Sequence, residues 1–390
     1  MQPTAGAQIG EGATASADRA YIPRLAALFC AGWAVLYADR TVLYPLLTVI
    51  AREFGLSGTQ TGLITGTYFT LYVVTLLVSG LLAERFGLKR VLVFSSCVSA
   101  VGVVGFGFAA VNYLALLVVA SLHGAGAGPY YTMAYSIMIH TVPDRLRGLT
   151  SGLINAGMSL GLAAGLALAG PVYQATGSWR VPFLILAVPT ILVAVLYQGT
   201  VREIRVPLKR SIPLWALLRD PTLLCMNLAA FCALYGWWVI LSWGPVFFQT
   251  ERGLSLTMSG LYTLVIAITA IPSGLLLGRL SDSIGRKRII LGMLPLMAYG
   301  VVGKLAWDPL GIAWLGDYMA QNRPEAVGAA VALFSFTSVL SAVVGPPLTG
   351  WIKDLTGSLA GGFYLAGGLA LVGFVLSLKP ADSGPKRTNP

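Results

Sequence analysis

Charge is what this sequence has least of. Only 11% of its 390 residues are Asp, Glu, Lys or Arg, and 15 are acidic, against about 25% charged in an ordinary soluble domain. That scarcity excludes a water-facing globular surface. Histidines number 2 and cysteines 4. The spacing of Cys30, Cys97, Cys225 and Cys232 fits no metal site or disulfide framework, so they read as small buried apolar residues. No nucleophile elbow, phosphate loop or metal-spaced cluster occurs, so an enzyme is not expected and no cofactor is implied. Residues 1–18 lack both the basic start and the apolar core of a cleavable signal and read as a disordered tail.

What the sequence has instead is hydrocarbon. Hydrophobic residues make up 56%, and apolar runs of roughly 20 residues, enough to span a bilayer, recur along the chain. The net charge of +11 would suit nucleic acid, but its placement argues otherwise. Arg85, Lys89 and Arg90 share one loop, and Arg145 and Arg147 another. Arg202, Arg205, Lys209, Arg210 and Arg219 lie in a central loop, and Arg279, Arg286, Lys287 and Arg288 in a fourth. The intervening loops carry Arg52, Arg180, Arg252 and Lys353. This alternation predicts an inner-membrane protein with both termini cytoplasmic.

The predicted spans cover 22–50, 59–83, 90–109, 112–141, 147–172 and 179–199, then 221–249, 256–279, 289–306, 326–352 and 360–378. The organisation expected is a tail (1–18), an N-terminal bundle (19–200), a cytoplasmic linker (201–218), a C-terminal bundle (219–380) and a cytoplasmic tail (381–390). The halves repeat. "GLLAERFGLKR" (80–90) matches "GRLSDSIGRKR" (278–288) at an offset of 198. Further on, Gly148, Gly165, Gly170 and "TGS" (176–178) match Gly328, Gly345, Gly350 and "TGS" (356–358) at 180. The second half therefore lacks 18 residues between Arg288 and Gly328. Either spans nine and ten are shortened or one is lost. A compressed pair is the better fit, with 307–321 a short tenth segment, because losing one span would reverse the helix that follows. A repeated half implies two bundles related by an axis along the membrane normal.

The repeated loop resembles the signature of the major facilitator superfamily. That resemblance implies an all-α polytopic membrane protein of two pseudo-symmetric six-helix bundles, working by alternating access. In the loop, glycines allow a tight turn and close helix approach. Glu84 or Asp282 can pair with nearby arginines or a helix N-terminus. Gly80, Glu84, Arg85, Gly87, Lys89 and Arg90, with Asp282, Gly285, Lys287 and Arg288, then form a conformational latch. The alternative is a loop that carries only topogenic positive charge.

"YADRTVLYPLLTVIAREFGLS" (37–57), "SWGPVFFQTERGLSL" (242–256) and "GPPLTGWIKDLTGS" (345–358) resemble the anion:cation symporter branch, which includes sugar-acid permeases. That resemblance implies proton coupling at Asp39 and an organic anion at Arg40. The sequence departs from the branch in "HGAGAGPYY" (123–131), where His123 stands in an arginine's place and Ala127 in an acid's.

The residues themselves support a polar site. A charge at mid-bilayer costs at least about 2.5–3.5 kcal/mol, so Asp39 and Arg40 need a purpose. Tyr37, Arg40, Thr41, Tyr44 and Thr48 share one helix face at spacings of three and four. That stripe is expected to line a wet cavity, its guanidinium matched to both oxygens of a carboxylate. An anion arriving at Arg40 would weaken the arginine's hold on the Asp39 charge, so proton and anion would bind best together. The alternative is a static Asp39–Arg40 pair holding helices in register. His123 reads as a cavity histidine or a packing residue. Tyr130, Tyr131, Asn155, Tyr235 and Trp238 are further candidates for the substrate site, and Trp237 and Trp243 for either the cavity or lipid-facing anchors.

The function expected is proton-coupled import of a small organic anion, carboxylate or sugar acid, by a monomeric protein whose partners are that solute, a proton and lipid, with no nucleic acid. A proton-driven exporter of drugs or amphiphiles and a transport-dead or truncated relative are the alternatives.

Overall fold

In the computed structural model the described residues are 5–205, 217–298 and 304–380, without the side chains of 5–20, 144, 266–275, 278–279, 282, 295–298, 304–309 and 325. The first span is α1 (Ala5–Thr41) and α2 (Leu43–Phe54). The helix reaches back into the expected tail, where Ala5, Ala7, Ala13 and Ala15 favour helix. Next come α3 (Gly58–Phe86), α4 (Leu88–Phe108), α5 (Tyr113–Ala127) with α6 (Pro129–Thr141), α7 (Asp144–Thr176) and α8 (Val181–Thr200). The second half holds α9 (Pro221–Thr250), α10 (Leu256–Ile284), α11 (Arg286–Ala298), α12 (Lys304–Asn322), α13 (Val327–Thr356) and α14 (Ala360–Leu378). Among the described residues, 8 spans are long and apolar enough to cross a membrane. The short second half is the compressed pair: α11 and α12 are both present. Part of the linker and all of 381–390 lie outside the described residues.

Proline sets the two breaks. Pro45 has no N–H to offer the Thr41 carbonyl one turn back, and α1 gives way to α2 at Val42. Pro129 denies Ala125 in the same way, and α5 gives way to α6 at Gly128. Both breaks fall near mid-span, beside the intramembrane polar residues.

The repeat is structural as well as textual. Among the described residues the positive-φ glycines are Gly55 and Gly253, Gly87 and Gly285, and Gly177 and Gly357. Each pair stands at a repeat offset, at turns that only glycine takes without strain. Ser57 and Ser255 cap α3 and α10, accepting from the Gln60 and Met258 amides, each at 3.2 Å. Glu53 accepts from the Trp179 indole at 2.6 Å, bridging the first span to the loop after α7. Its repeat mate Glu251 accepts from the Leu359 amide, also at 2.6 Å.

The loops before α4 and α11 define a basic end, and those before α3 and α10 the far end. Glycines carry the helix contacts. On α7, a Cβ at Gly157, Gly161 or Gly165 would strike the carbonyls of Cys30, Ala34 and Ala38 on α1. The two halves meet at the far end: Gly58 and Gly62 of α3 lie against Gly350 and Pro346 of α13, and Gly260 of α10 against Leu166 of α7. Polar contacts follow there. Thr48 and Gln249 are hydrogen bonded, and Gln249 donates to the Pro45 carbonyl and Ser259 Oγ, both at 2.9 Å. At the basic end a Cβ on Gly80, Gly148 or Gly328 would meet nothing within 4 Å. Gly161→Leu is therefore expected to lower the thermal midpoint in detergent by several degrees, at a cost of about 1–3 kcal/mol or more for overpacking. Gly148→Leu should leave it unchanged.

For the tryptophans the structure decides between the two alternatives, and for one cysteine it departs from the expectation. Trp237 and Trp243 do not face lipid. Both are buried, and the Trp243 indole donates to the Pro346 carbonyl at 2.9 Å, because α9 lies against α13 and α14 on its inner sides. Cys97 is exposed on α4, while Cys225 and Cys232 are buried as expected.

Candidate functional site

The break at Val42 leaves Asp39 and Arg40 in the last turn of α1, and both are buried, at 0% and 5% exposure. Among the described residues they form no ion pair with one another. Asp39 Oδ2 accepts from Thr190 Oγ1 of α8 at 2.8 Å, and its Oδ1 has no hydrogen-bond partner. The static Asp39–Arg40 pair is therefore not what the structure contains. Arg40 points the other way round the helix. Its Cζ sits 3.9 Å from the Tyr37 ring centroid, 5.4 Å from Phe69 of α3 and 5.2 Å from Trp238 of α9. The Tyr37 and Tyr68 phenols are its polar neighbours. Its Nε and Nη2 have no partner.

A guanidinium in this condition is costly. The aromatic faces attract it, by about 2 kcal/mol each at best, but unpaired N–H groups away from water cost about 1–3 kcal/mol apiece, more when charged. Arg40 lines a void together with Asp39, Leu43, Tyr44, Thr65, Tyr68, Phe106, Ala120 and His123. Tyr44 Oη, Thr65 Oγ1 and His123 Nε2 in that lining also have no partner. The site thus presents a positive fork ringed by hydroxyls and an imidazole, the donor set that a carboxylate or a hydroxylated carboxylate satisfies. The void holds about one water molecule, not the solute-sized wet cavity expected. Phe69 and Trp238 fill that room, with ring centroids 4.6 Å apart across the boundary between the halves.

The predicted residues divide into three groups. Arg40, Tyr44 and His123 line the void, and Tyr37 and Trp238 lie against the Arg40 guanidinium. Tyr130 does not: it is buried one layer away, its hydroxyl donating to the Phe29 carbonyl and its ring stacked on Trp33 at 4.8 Å. Tyr235 is buried beside Gly345 with its hydroxyl unpartnered, and Asn155 is exposed on α7 beside Tyr135. Two members of the tyrosine stripe also leave it. Thr41 donates to the Tyr37 carbonyl at 2.7 Å and faces α7, and Thr48 belongs to the far-end contact. Sequence reasoning missed Thr65, Tyr68, Phe69 and Thr190. The aromatic cluster in "TYFTLY" (67–72) was the available signal for two of them.

At the basic end, Gly87 turns with φ +94° and Gly285 with φ +108°. The linker docks onto the first loop: Glu203 accepts from the Lys89 amide at 3.0 Å and stands 3.8 Å from Arg90 Nε. Among the described residues Glu84 has no ion-pair partner, and Arg85 lies over the Phe86 ring. Lys287 donates to the Leu378 carbonyl at 2.7 Å. Arg286, which follows Gly285, pairs with Asp317 at 2.6 Å. Arg288 is exposed, and the Asp282 side chain lies outside the described residues.

A family profile described as "Major Facilitator Superfamily" matches residues 29–320. A "Hexuronate transporter" of Bacillus subtilis (strain 168) is 27% identical, covering 95% of this chain and 98% of that protein. A protein of Cupriavidus necator named "Probable sulfoacetate transporter SauU" is 27% identical, covering 89% of this chain and 82% of its own. Among solved structures, a D-xylose–proton symporter superposes with a TM-score of 0.70 at 16% identity, covering 94% of this chain and 99% of that one.

Proposed function

This chain belongs to the Major Facilitator Superfamily, and on that premise we propose that it imports a small organic anion together with a proton by alternating access. Transport itself follows from the family and from relatives that are transporters, not enzymes. One observation carries the rest: a buried guanidinium with two donor groups unmade, at a void whose lining holds the unpartnered hydroxyls of Tyr44 and Thr65. A carboxylate would complete that lining. Relatives named for hexuronate and sulfoacetate, both organic anions, support the solute class.

In this reading Arg40, Tyr37, Tyr44 and His123 hold the anion, Trp238 covers it from the other half, and Asp39 carries the proton. Tyr130, Asn155 and Tyr235 join as the bundles move, Asn155 on the path to the basic end. The same reading puts that end, the linker and both termini in the cytoplasm of an inner-membrane protein, supported by the basic loops. The far end is then the outside, and the contacts there describe a carrier closed to the outside. The domains divide at 201–218, and one chain suffices because the site needs no second copy. When the basic end closes, the loop residues Gly80, Glu84, Arg85, Gly87, Lys89 and Arg90 latch it, with Asp282, Gly285, Lys287 and Arg288 in the second half. Both α11 and α12 remain in place despite the missing 18 residues, which favours a working carrier over a transport-dead one.

The test is uptake of labelled hexuronates and other monocarboxylates into proteoliposomes, with and without an inward proton gradient. Gradient-driven uptake is expected. Dye efflux without acid uptake would replace the proposal with drug export, and absence of flux in either direction would leave a transport-dead protein. Trp238→Ala, by removing the aromatic cover, is expected to raise the half-saturating concentration about tenfold, or about 1.4 kcal/mol, between the values for an exposed and a desolvated cation–π contact.

A further inference from the structure

Asp354 sits in the last turn of α13, and its carboxylate reaches across to the other half of the protein. Oδ1 accepts from the Gly58 amide at 2.5 Å, and Oδ2 accepts from the Thr59 amide at 2.8 Å and Thr59 Oγ1 at 2.6 Å. Those amides are the first of α3, where the helix has donors to spare and the positive end of its dipole. Neither group belongs to the anion site. The glycines around them bring the backbones of α3 and α13 together at Gly58 and Gly350. The repeat predicts a second clasp between α7 and α10, but Asp354 corresponds there to Gln174, which is exposed. At that junction Gly170 meets Thr257 by packing alone. The far end is thus fastened by charge on one side and by shape on the other.

We propose that Asp354 is the releasable clasp of the far end: its three bonds to the start of α3 hold the halves together there, and they must break before a solute enters from that side. This rests on the alternating-access reading above. The carboxylate suits the task because charge-assisted bonds to backbone N–H are strong yet reform in water without rearranging the core. Without it the far end would keep the glycine contacts and the uncharged bonds of Gln249 to Thr48 and the Pro45 carbonyl, and would lose its charge-assisted tie between the halves.

The experiment measures cysteine accessibility in full-length protein in detergent, with Cys30, Cys97, Cys225 and Cys232 replaced by serine. Leu166→Cys, buried in the α7–α10 contact, reports far-end opening; Asn155→Cys, exposed on α7, reports the basic end. Asp354→Asn should raise maleimide labelling at position 166 about tenfold and lower it at 155. Asp354→Glu should restore most of the protection. Thr59→Val, which removes one donor, should shift both reporters the same way but less, and serves if Asp354→Asn does not fold. Gln174→Ala should shift neither. Unchanged labelling in Asp354→Asn overturns the proposal, as does equal opening in Gln174→Ala, or a rise at 166 with no fall at 155, which would be local fraying. If the clasp fails on these terms while proton-driven anion uptake persists, the transport reading stands. If the wild-type reporters respond to neither substrate nor variants, alternating access falls as well.

Discussion

Replacing Arg40 with alanine is expected to abolish saturable anion uptake while leaving the folded protein no less stable. The two halves of that result come from one geometry. Truncating one partner of a buried, hydrogen-bonded charge pair costs about 2–5 kcal/mol, which is roughly a thirtyfold to several-thousandfold loss of affinity. Without anion, however, Arg40 is a cation whose Nε and Nη2 have no partner and whose neighbours are aromatic faces and phenols. Removing it relieves an uncompensated buried charge, so the thermal midpoint in detergent should stay level or rise, most clearly in Arg40→Met, which keeps the packing volume. Arg40→Lys should fall between, since an ammonium keeps the charge but not the planar fork. A variant that still transports, or one that loses transport only because it unfolds, would remove Arg40 from the anion site.

Asp39→Asn should uncouple transport from the proton gradient without stopping it. One pH unit is worth 1.36 kcal/mol, a factor of about ten, so a carrier moving one proton per solute accumulates anion about tenfold across such a gradient. The asparagine variant should bring inside and outside to equality and go no further, while exchange of labelled for unlabelled solute continues. Asp39 is suited to this because it is fully buried, lies next to the anion's arginine in sequence yet is not bonded to it, and holds one oxygen free of partners. Thr190→Val, which removes only the hydroxyl that Asp39 accepts from, should slow uptake but keep accumulation. Full accumulation by Asp39→Asn would assign the proton to another group.

How far the chain could be read in advance varied with the physical range of each signal. Spans, loops and the repeat were legible because hydrocarbon length and loop charge are local properties, and the paired glycines kept their offsets through the turns that need them. The compressed α11–α12 pair followed from counting residues. Arg40 and Asp39 stood out because nothing apolar explains a mid-bilayer charge. Their partners did not: Thr190 is one threonine on an ordinary apolar helix, and Phe69 and Trp238 look like core residues until they are seen on either side of a guanidinium. Tyr130 shows the opposite limit, since helix spacing alone does not reveal that its hydroxyl bonds the Phe29 carbonyl in this conformation.

By itself the sequence determined that this is a polytopic helical membrane protein of two related halves, with a carboxylate and a guanidinium inside the first span, because hydropathy, length and periodicity act within a single segment. Only the tertiary structure decided that those two charges turn away from each other, that aromatic rings from separate halves close over the cation, and that the Asp354 carboxylate bonds to the start of α3 in the other half. Such facts depend on which faces of distant helices meet, and that is settled by glycine-to-backbone fit and proline breaks summed over the whole bundle, not by any one stretch of chain.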